Sequence, residues 1–392
     1  MTNVLILQQP GSSSPIDQWL REVDPQVRLA IITGPGSIRK GSYAEGVKVV
    51  ETDDYFSPET MVVARAAAIE IAADHVVSNA EQDVLRVAEL RDALGLPGMS
   101  AQLALAFRDK LVMKQLFADA GLVAAPAAPV RCVHDIVALS HEHGRGVVKP
   151  LDGMGAKDLV VIPAEAAQAD VFEAVAPLLE ELHAGRLMWE KFVPGDGLHC
   201  DVTLLEKDIK IFSVSRTLAP PHAYATHNYT SYTLDWTDPT YAQARKCVEQ
   251  LVGAMPPKHG VTMLHFELFE NPDGSGLTAG EVGARMGGGG IRAAVREVTG
   301  RDIAREGYLF AAGYGGSLEA TPPPETSAGW MLFTSTAPEL GDPRPEWVVS
   351  TWTRPRTTST PQHSVDAVGG MIVRADSSAA LRATLESLHW HL

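Results

Sequence analysis

The sequence predicts a mixed α/β (α+β) protein, with a parallel α/β layer at the N-terminus and a larger part built on antiparallel strands. Three observations carry this. Short apolar runs alternate with helical segments over residues 1–100. The stretch 187–215 alternates apolar and polar residues as paired antiparallel strands do. The stretch 260–291 reads as strand, turn, strand and glycine loop, with "PDGSG" as the turn.

The elements follow in order. "NVLILQQ" (3–9), "RLAIITG" (28–34), "GVKVVET" (46–52) and "ADHVVSN" (73–79) are apolar strands ending in turn residues. Residues 57–72 form a helix with a Ser-Pro start and an early Glu59; residues 81–95 form another, stopped by Gly95 and Pro97. The first strand runs into "QQPGSSSP", which is no dinucleotide-binding turn. Residues 103–122 are expected as one helix closed by Gly121, because Leu111, Met113, Leu116 and Phe117 recur at helical spacing. Residues 123–129 are a Pro/Ala linker. Helices are expected again at 165–185 and 238–254.

A chain of 392 residues is too long for one ordinary core and implies two or three domains. Hydrophobic residues make up 45% and charged residues 21%, the balance of a globular chain. The net charge of −15 disfavours nonspecific binding to nucleic acid or anionic membranes, and no apolar run is long enough to span a bilayer. Neither nucleic acid nor membrane is expected as a partner. Residues 1–10 read as a strand rather than a signal peptide. Cys132, Cys200 and Cys247 are widely spaced, form no CxxC pair, and are expected as buried free thiols. A cytoplasmic setting fits. A homodimer is the ordinary prior for oligomeric state.

Several groups could carry chemistry. In "VVKPLDGMGAK", Lys149 precedes a loop with Gly153 and Gly155, where backbone amides and a point charge could meet a phosphate; the alternative is a strand-edge lysine before a hairpin. In "MWEKFVPG", Glu190 either accepts from a purine's exocyclic amine or is an exposed strand glutamate. Glu267 and Glu281 lie on strands joined by one turn, and such paired oxygen ligands suit Mg²⁺. The alternative is two strand glutamates paired with basic residues. His265 shares the Glu267 face and either orients that carboxylate or the substrate, or is a core histidine. Arg216 either clamps a carboxylate or is a surface arginine at a strand end. Residues 219–229, with His222, Tyr224, His227 and Tyr229, form a candidate substrate loop. "SLHWHL" fits no metal spacing and is expected in a terminal helix. In "EVGARMGGGG" (281–290), positions 281, 283 and 285 share one side of a strand, and the glycines let backbone amides approach an anion.

Taken in order, "FRDKLVMKQLFADAGL", "VVKPLDGMGAK", "MWEKFVPG" and "MLHFELF" with "GEVGAR" resemble the ATP-grasp superfamily of carboxylate–amine ligases. The last pair looks closest to its amino-acid and peptide ligases. With "ADHVVSNAEQDVLRVAELRDALGLPG", the resemblance spans residues 73–295. It implies an N-terminal α/β domain (1–100), a central ATP-grasp lobe with a glycine-rich flap (101–186), and a C-terminal lobe with a terminal extension (187–392).

The resemblance also implies roles. Lys110 and Lys149 would hold ATP phosphates under the flap Asp152 to Lys157, which includes Gly153 and Gly155. Glu190, Lys191, Phe192 and Val193 would form the adenine hinge. Glu267 and Glu281 would hold Mg²⁺, or Mn²⁺ in its place. Arg285 would stabilise an acyl phosphate. Beside these implied roles, the residues themselves make Lys149 and His265 catalytic candidates, and Arg216, Arg285, Gly288 and Gly289 candidates to face the carboxylate and amine substrates. Two departures stand out. Gly283 occupies the place where many members have an asparagine ligand. Gly197 occupies that of an acidic ribose-binding residue, leaving Asp196 or Asp201 as the candidate. The implied reaction is ADP-forming amide or peptide synthesis. A purine-biosynthesis or biotin-carboxylase-like activity and an inactive nucleotide-binding regulator are the alternatives.

Overall fold

In the computed structural model, the described residues are all except 79, 156, 219–227, 316–317, 334–343, 355–366 and 390–392. The first layer is a four-stranded parallel sheet of β1 (Asn3–Leu7), β2 (Arg28–Thr33), β3 (Lys48–Glu51) and β4 (His75–Ser78), in the order β3-β2-β1-β4. The runs read as strands are strands, and their pairing is parallel as expected. Both sheet faces are apolar: Leu5, Leu7, Ala30 and Ile32 pack on one helical layer, and Val4, Ile6, Leu29 and Ile31 on another. The helix Pro58–Ile71 starts with Pro at its first turn, and Asp83–Leu94 ends on Gly95 in the left-handed region (φ 66°).

The second sheet contains β5 (Ala127–Val130), β6 (Gly146–Pro150), β7 (Val160–Ile162) and β8 (Leu187–Lys191), antiparallel in the order β5-β8-β6-β7. Because β8 is bonded to both β5 and β6, this sheet passes the division at 186 expected from the sequence. The third sheet holds β9 (Asp196–Leu205), β10 (Asp208–Thr217), β11 (Tyr229–Thr233), β12 (Met263–Glu270), β13 (Leu277–Gly283), β14 (Ser327–Phe333), β15 (Val348–Thr353) and β16 (Gly369–Ala375). Its order is β13-β12-β9-β10-β11-β14-β16-β15. One face of β9, with Leu198, Cys200 and Val202, packs with Phe266 against Phe117 and the helix Pro239–Ala254 in the largest core. The opposite face carries His199, Asp201 and Thr203, all buried polar residues.

Two helix expectations are corrected. Residues 103–122 are not one helix but two, Ala101–Ala106 and Lys110–Asp119. The break has a polar cause. The Lys110 amide donates to the Leu151 carbonyl at 3.0 Å, and the Asp109 carboxylate caps the new helix by accepting from the amides of Leu111 and Val112. The 165–185 segment likewise splits into Gln168–Val175, a 3₁₀ turn Ala176–Leu178 and Leu179–His183, since Pro177 cannot supply an interior amide. Of the cysteines, Cys200 is buried, Cys247 half-buried and Cys132 exposed, so the expectation of three buried thiols fails at Cys132. No helix among the described residues is long and apolar enough to cross a membrane.

The Asp109 cap orients the helix that carries Lys110 and Lys114. Asp109→Ala is expected to destabilise the protein by about 1 kcal/mol, read as a lowered denaturant midpoint with an unchanged m-value, and Asp109→Asn by distinctly less.

Candidate active site

The site lies where the second and third sheets meet the helix Lys110–Asp119. Lys110 and Lys114 are one turn apart and share a face of that helix. Lys149 comes from β6, Glu190 from β8 and Glu281 from β13. Lys149 Nζ lies 2.6 Å from Glu281 Oε1 and 2.7 Å from Glu190 Oε2. Lys110 Nζ lies 3.6 Å from Glu281 Oε2 and donates to the Gly153 carbonyl at 2.6 Å. Lys114 pairs with Glu190 and donates to the Gly280 carbonyl at 2.8 Å. Burial opposes the charge on Lys149, but Glu281 and Glu190 outweigh it and hold the ammonium above the ordinary lysine value. Burial would raise Glu281 as well; Lys149 and then Lys110 reverse this and bring its carboxyl to about 2.

Lys114 is not among the residues that the sequence singles out. Its only signal was its spacing of four from Lys110. The Glu190 expectation also changes: its carboxylate is engaged by two lysines rather than turned to a purine edge. In the rest of the segment read as a hinge, Lys191 is exposed and Phe192 lies under the Arg145 guanidinium, 4.1 Å from carbon to ring centre. Val193 is half-buried. Gly155 has φ 66° and lies exposed in the loop after β6.

Glu267 and Glu281 stand on neighbouring strands. The register pairs His265 with Gly283 and Phe266 with Val282, then shifts by a bulge before Leu268 and Ala279. The two glutamates therefore fall on one face beside the bulge. Glu267 is half-exposed, with Oε1 3.6 Å from His265 Nε2. Two carboxylates on one sheet face are a donor set that fits Mg²⁺.

The expected alternation through 281, 283 and 285 is corrected. The strand ends at Gly283, and Arg285 lies in the following bend with its side chain folded back over Gly283. Its Nε donates to Glu81 Oε2 at 2.6 Å and its Nη1 to the Met286 carbonyl at 3.0 Å. Burial lowers its basicity, and Glu81 more than restores it. Glu81 was not singled out in the sequence, because it comes from the first layer.

Beneath the loop sits a buried polar hub. Asp201 is wholly buried and accepts from His199 Nδ1 at 2.7 Å and from His265 Nδ1 at 2.9 Å. His199 Nε2 contacts Ser231 Oγ at 2.8 Å. Burial would raise Asp201, but His265 and His199 hold it far below the carboxylate range. Burial would lower His265; Asp201 reverses this and holds it at about 9, a cation at neutral pH. The ligand atoms of His199, Asp201 and His265 lie within 4.8 Å of one another, a metal-like grouping. Both imidazole–carboxylate separations are also ordinary hydrogen-bond distances. Asp201 is thereby removed as a ribose ligand, whereas Asp196 is exposed.

Arg216 is not at this site. It pairs with Leu198, whose side chain faces the helical core, and its Nη2 donates to Glu270 Oε2 at 2.6 Å and Thr240 Oγ1 at 3.1 Å. Alternation on β10 puts it on the sheet face opposite His199 and Asp201. In the 219–229 run, His222, Tyr224 and His227 lie outside the described residues; Tyr229 packs edge-on against Trp330, with ring centres 4.9 Å apart. Of "SLHWHL", residues up to His389 end the helix Ser378–His389 and the rest lies outside the described residues.

The glycines now have reasons. A Cβ on Gly287 would meet Asp201 Oδ1 at 2.6 Å and His265 Nδ1 at 2.7 Å. One on Gly290 would meet Trp330 Cβ at 2.4 Å, and Gly289 holds φ 63° above the same indole. Only Gly288 of the four faces open space.

No protein-family model matches the chain. Its sequence is 30% identical over 220 residues to the L-arginine-specific L-amino acid ligase of Bacillus subtilis; the match covers 56% of this chain and 52% of that relative, about half its length. The structure superposes on the crystal structure of an L-amino acid ligase from Bacillus licheniformis with TM-score 0.74 at 19% identity, covering 99% and 97% of the two chains. It also superposes on the biotin carboxylase domain of the Hydrogenobacter thermophilus 2-oxoglutarate carboxylase, solved with MgADP and bicarbonate, with TM-score 0.69 at 13% identity, covering 97% and 89%. The chain has the ATP-grasp fold. Within that fold, its sequence is similar to an L-amino acid ligase.

The glycine loop is expected to discriminate between neighbours. Gly287→Ala must displace the hub and should cost about 1–3 kcal/mol, read by thermal or denaturant unfolding. Gly288→Ala, into open space, should change stability by less than about 0.5 kcal/mol.

Proposed function

We propose that this protein is an ATP-dependent carboxylate–amine ligase, acting on an amino acid or similar carboxylate and forming an amide or peptide bond. The observation that supports this is the cluster of Lys110, Lys114 and Lys149 around Glu190 and Glu281, with Glu267 on the strand beside Glu281 and Arg285 in the bend that follows it, on the ATP-grasp fold. The likeness of sequence to an amino acid ligase supports the substrate class.

The chemistry follows from what a carboxylate lacks. It is a poor acyl donor, because oxide would have to leave. Attack of a carboxylate oxygen on the γ-phosphorus of ATP forms a new O–P bond and breaks the bond to ADP. The resulting acyl phosphate then loses phosphate as the amine nitrogen attacks its carbonyl carbon and sheds a proton. Charge on the transferring group is spread over its oxygens, so catalysis is mainly positioning and electrostatics. Mg²⁺ on Glu267 and Glu281 would neutralise phosphate charge. Lys149 and Lys110 now face Glu190 and Glu281, and the polyphosphate would compete for those ammonium groups. Arg285 would add a directed donor at the transferring group or the carboxylate. The loop after β6, rooted by Lys110 and Arg108 on the carbonyls of Gly153 and Asp152, would cover the phosphates and keep water from the acyl phosphate.

A matrix of paired L-amino acids, assayed for ADP and phosphate release with mass spectrometry of the products, tests the proposal. Turnover that needs both a carboxylate and an amine is expected; its absence across the matrix rejects the ligase reading, and bicarbonate-dependent turnover would point to carboxylation instead. Glu281→Gln is expected to abolish magnesium-dependent turnover with the circular dichroism spectrum unchanged. Near-normal activity in that variant would remove Glu281 from the metal site.

A further inference from the structure

We propose that Glu81 is a positioning residue for Arg285, holding the guanidinium from the first layer so that a single nitrogen is directed at the reacting group; this rests on the ligase reading above. Glu81 precedes the helix Asp83–Leu94 and its side chain is 15% exposed. Its Oε2 takes the Arg285 Nε–H at 2.6 Å, and its Oε1 takes Arg108 Nη1 at 2.7 Å. Arg108 Nη2 in turn donates to the Asp152 carbonyl at 2.5 Å, at the root of the glycine loop after β6. With Arg285 Nη1 on the Met286 carbonyl, Nη2 is the guanidinium nitrogen without a partner among the described residues.

The arrangement makes sense as positioning rather than as charge. A carboxylate beside an arginine weakens that arginine's attraction for an anion, so Glu81 works against simple phosphate binding. What it supplies is direction. An arginine side chain carries about 2 kcal/mol of rotamer entropy, and two anchors remove that freedom before the substrate arrives. A group misplaced by about 1 Å can cost about a hundredfold in rate. The same carboxylate, through Arg108, ties the root of the loop to the arginine it faces, so the two parts of the site share one reference point in the first layer.

A double-mutant cycle tests this. Glu81→Ala is expected to lower kcat by about 10- to 100-fold, with the KM for ATP changed by less than about twofold. Glu81→Gln, which keeps an acceptor oxygen, should recover part of the loss. In an Arg285→Lys background, which has no Nε–H to hold, Glu81→Ala should cost little more. A normal kcat in Glu81→Ala, or the same fold-loss in both backgrounds, overturns the proposal. A second readout needs no substrate. The bonded, shielded Nε–H of Arg285 should give a slowly exchanging NMR resonance, assigned by its loss in Arg285→Lys. That resonance should exchange rapidly in Glu81→Ala, and an unchanged exchange rate there also overturns the proposal. Failure of the substrate matrix with the wild-type protein would reject the ligase reading and leave this spectroscopic test standing.

Discussion

The arrangement of the site depends on one buried ammonium, that of Lys149, held between Glu190 and Glu281. Glu190 is a neighbour of Lys149 within the second sheet, whereas Glu281 belongs to the third. The lysine is therefore the point at which the two sheets are joined by charge. Taking charges out of water is costly, and a buried pair gains little over an apolar one of the same shape. Its value lies in what removal would do: loss of Glu190 leaves Lys114, and loss of Glu281 leaves Lys110, without its carboxylate. Lys110 and Lys114 extend the same logic to the helix beneath, which makes three cations and two carboxylates interdependent. Such a set is expensive to assemble for stability alone. It is well suited to receive a polyanion, because the lysines are already gathered and need only change partners.

The hub under the glycine loop is the second constraint. Asp201 keeps its charge without solvent because two imidazoles donate to it. Its placement follows from strand alternation: Leu198, Cys200 and Val202 fill the core, so His199, Asp201 and Thr203 must face the other way. Pairing of β9 with β12 sets His265 opposite Asp201. A buried network of this kind is favourable only when every member is satisfied, and the loop above must not intrude on it.

Much of this was legible in the sequence, and the division between legible and hidden has a physical basis. The parallel layer, the glycine loops, Lys149, Glu267 and Glu281 are local features: an apolar run, a turn, a charged residue on a strand. The split of 165–185 at Pro177 is a local failure, and the failures at the site are tertiary. The helix at 103–122 breaks because the Lys110 amide is taken by Leu151, a partner some forty positions away. Arg216 was placed in the site by residue type, but strand parity sends it to the opposite face. Arg285 was expected to continue a strand that in fact ends at Gly283. Glu81 could not be found at all, since its bond to Arg285 spans a separation of 204 residues.

Four consecutive glycines need more than a wish for flexibility, and flexibility is not what the structure shows. Gly287 is excluded from having a side chain by the hub, Gly290 by the Trp330 ring, and Gly289 by its backbone angle above that ring. The loop is thin because it is squeezed between a charged network on one side and an indole on the other. Gly288 alone is bare for no internal reason, and it is exposed. Three glycines are thus accounted for by packing below the loop, whereas the fourth leaves its backbone open above it. A carboxylate or a transferring phosphoryl group approaching from that side would meet main chain rather than a side chain, beside an arginine whose direction is already set. The floor of the site is then defined from below by sterics and from the side by charge.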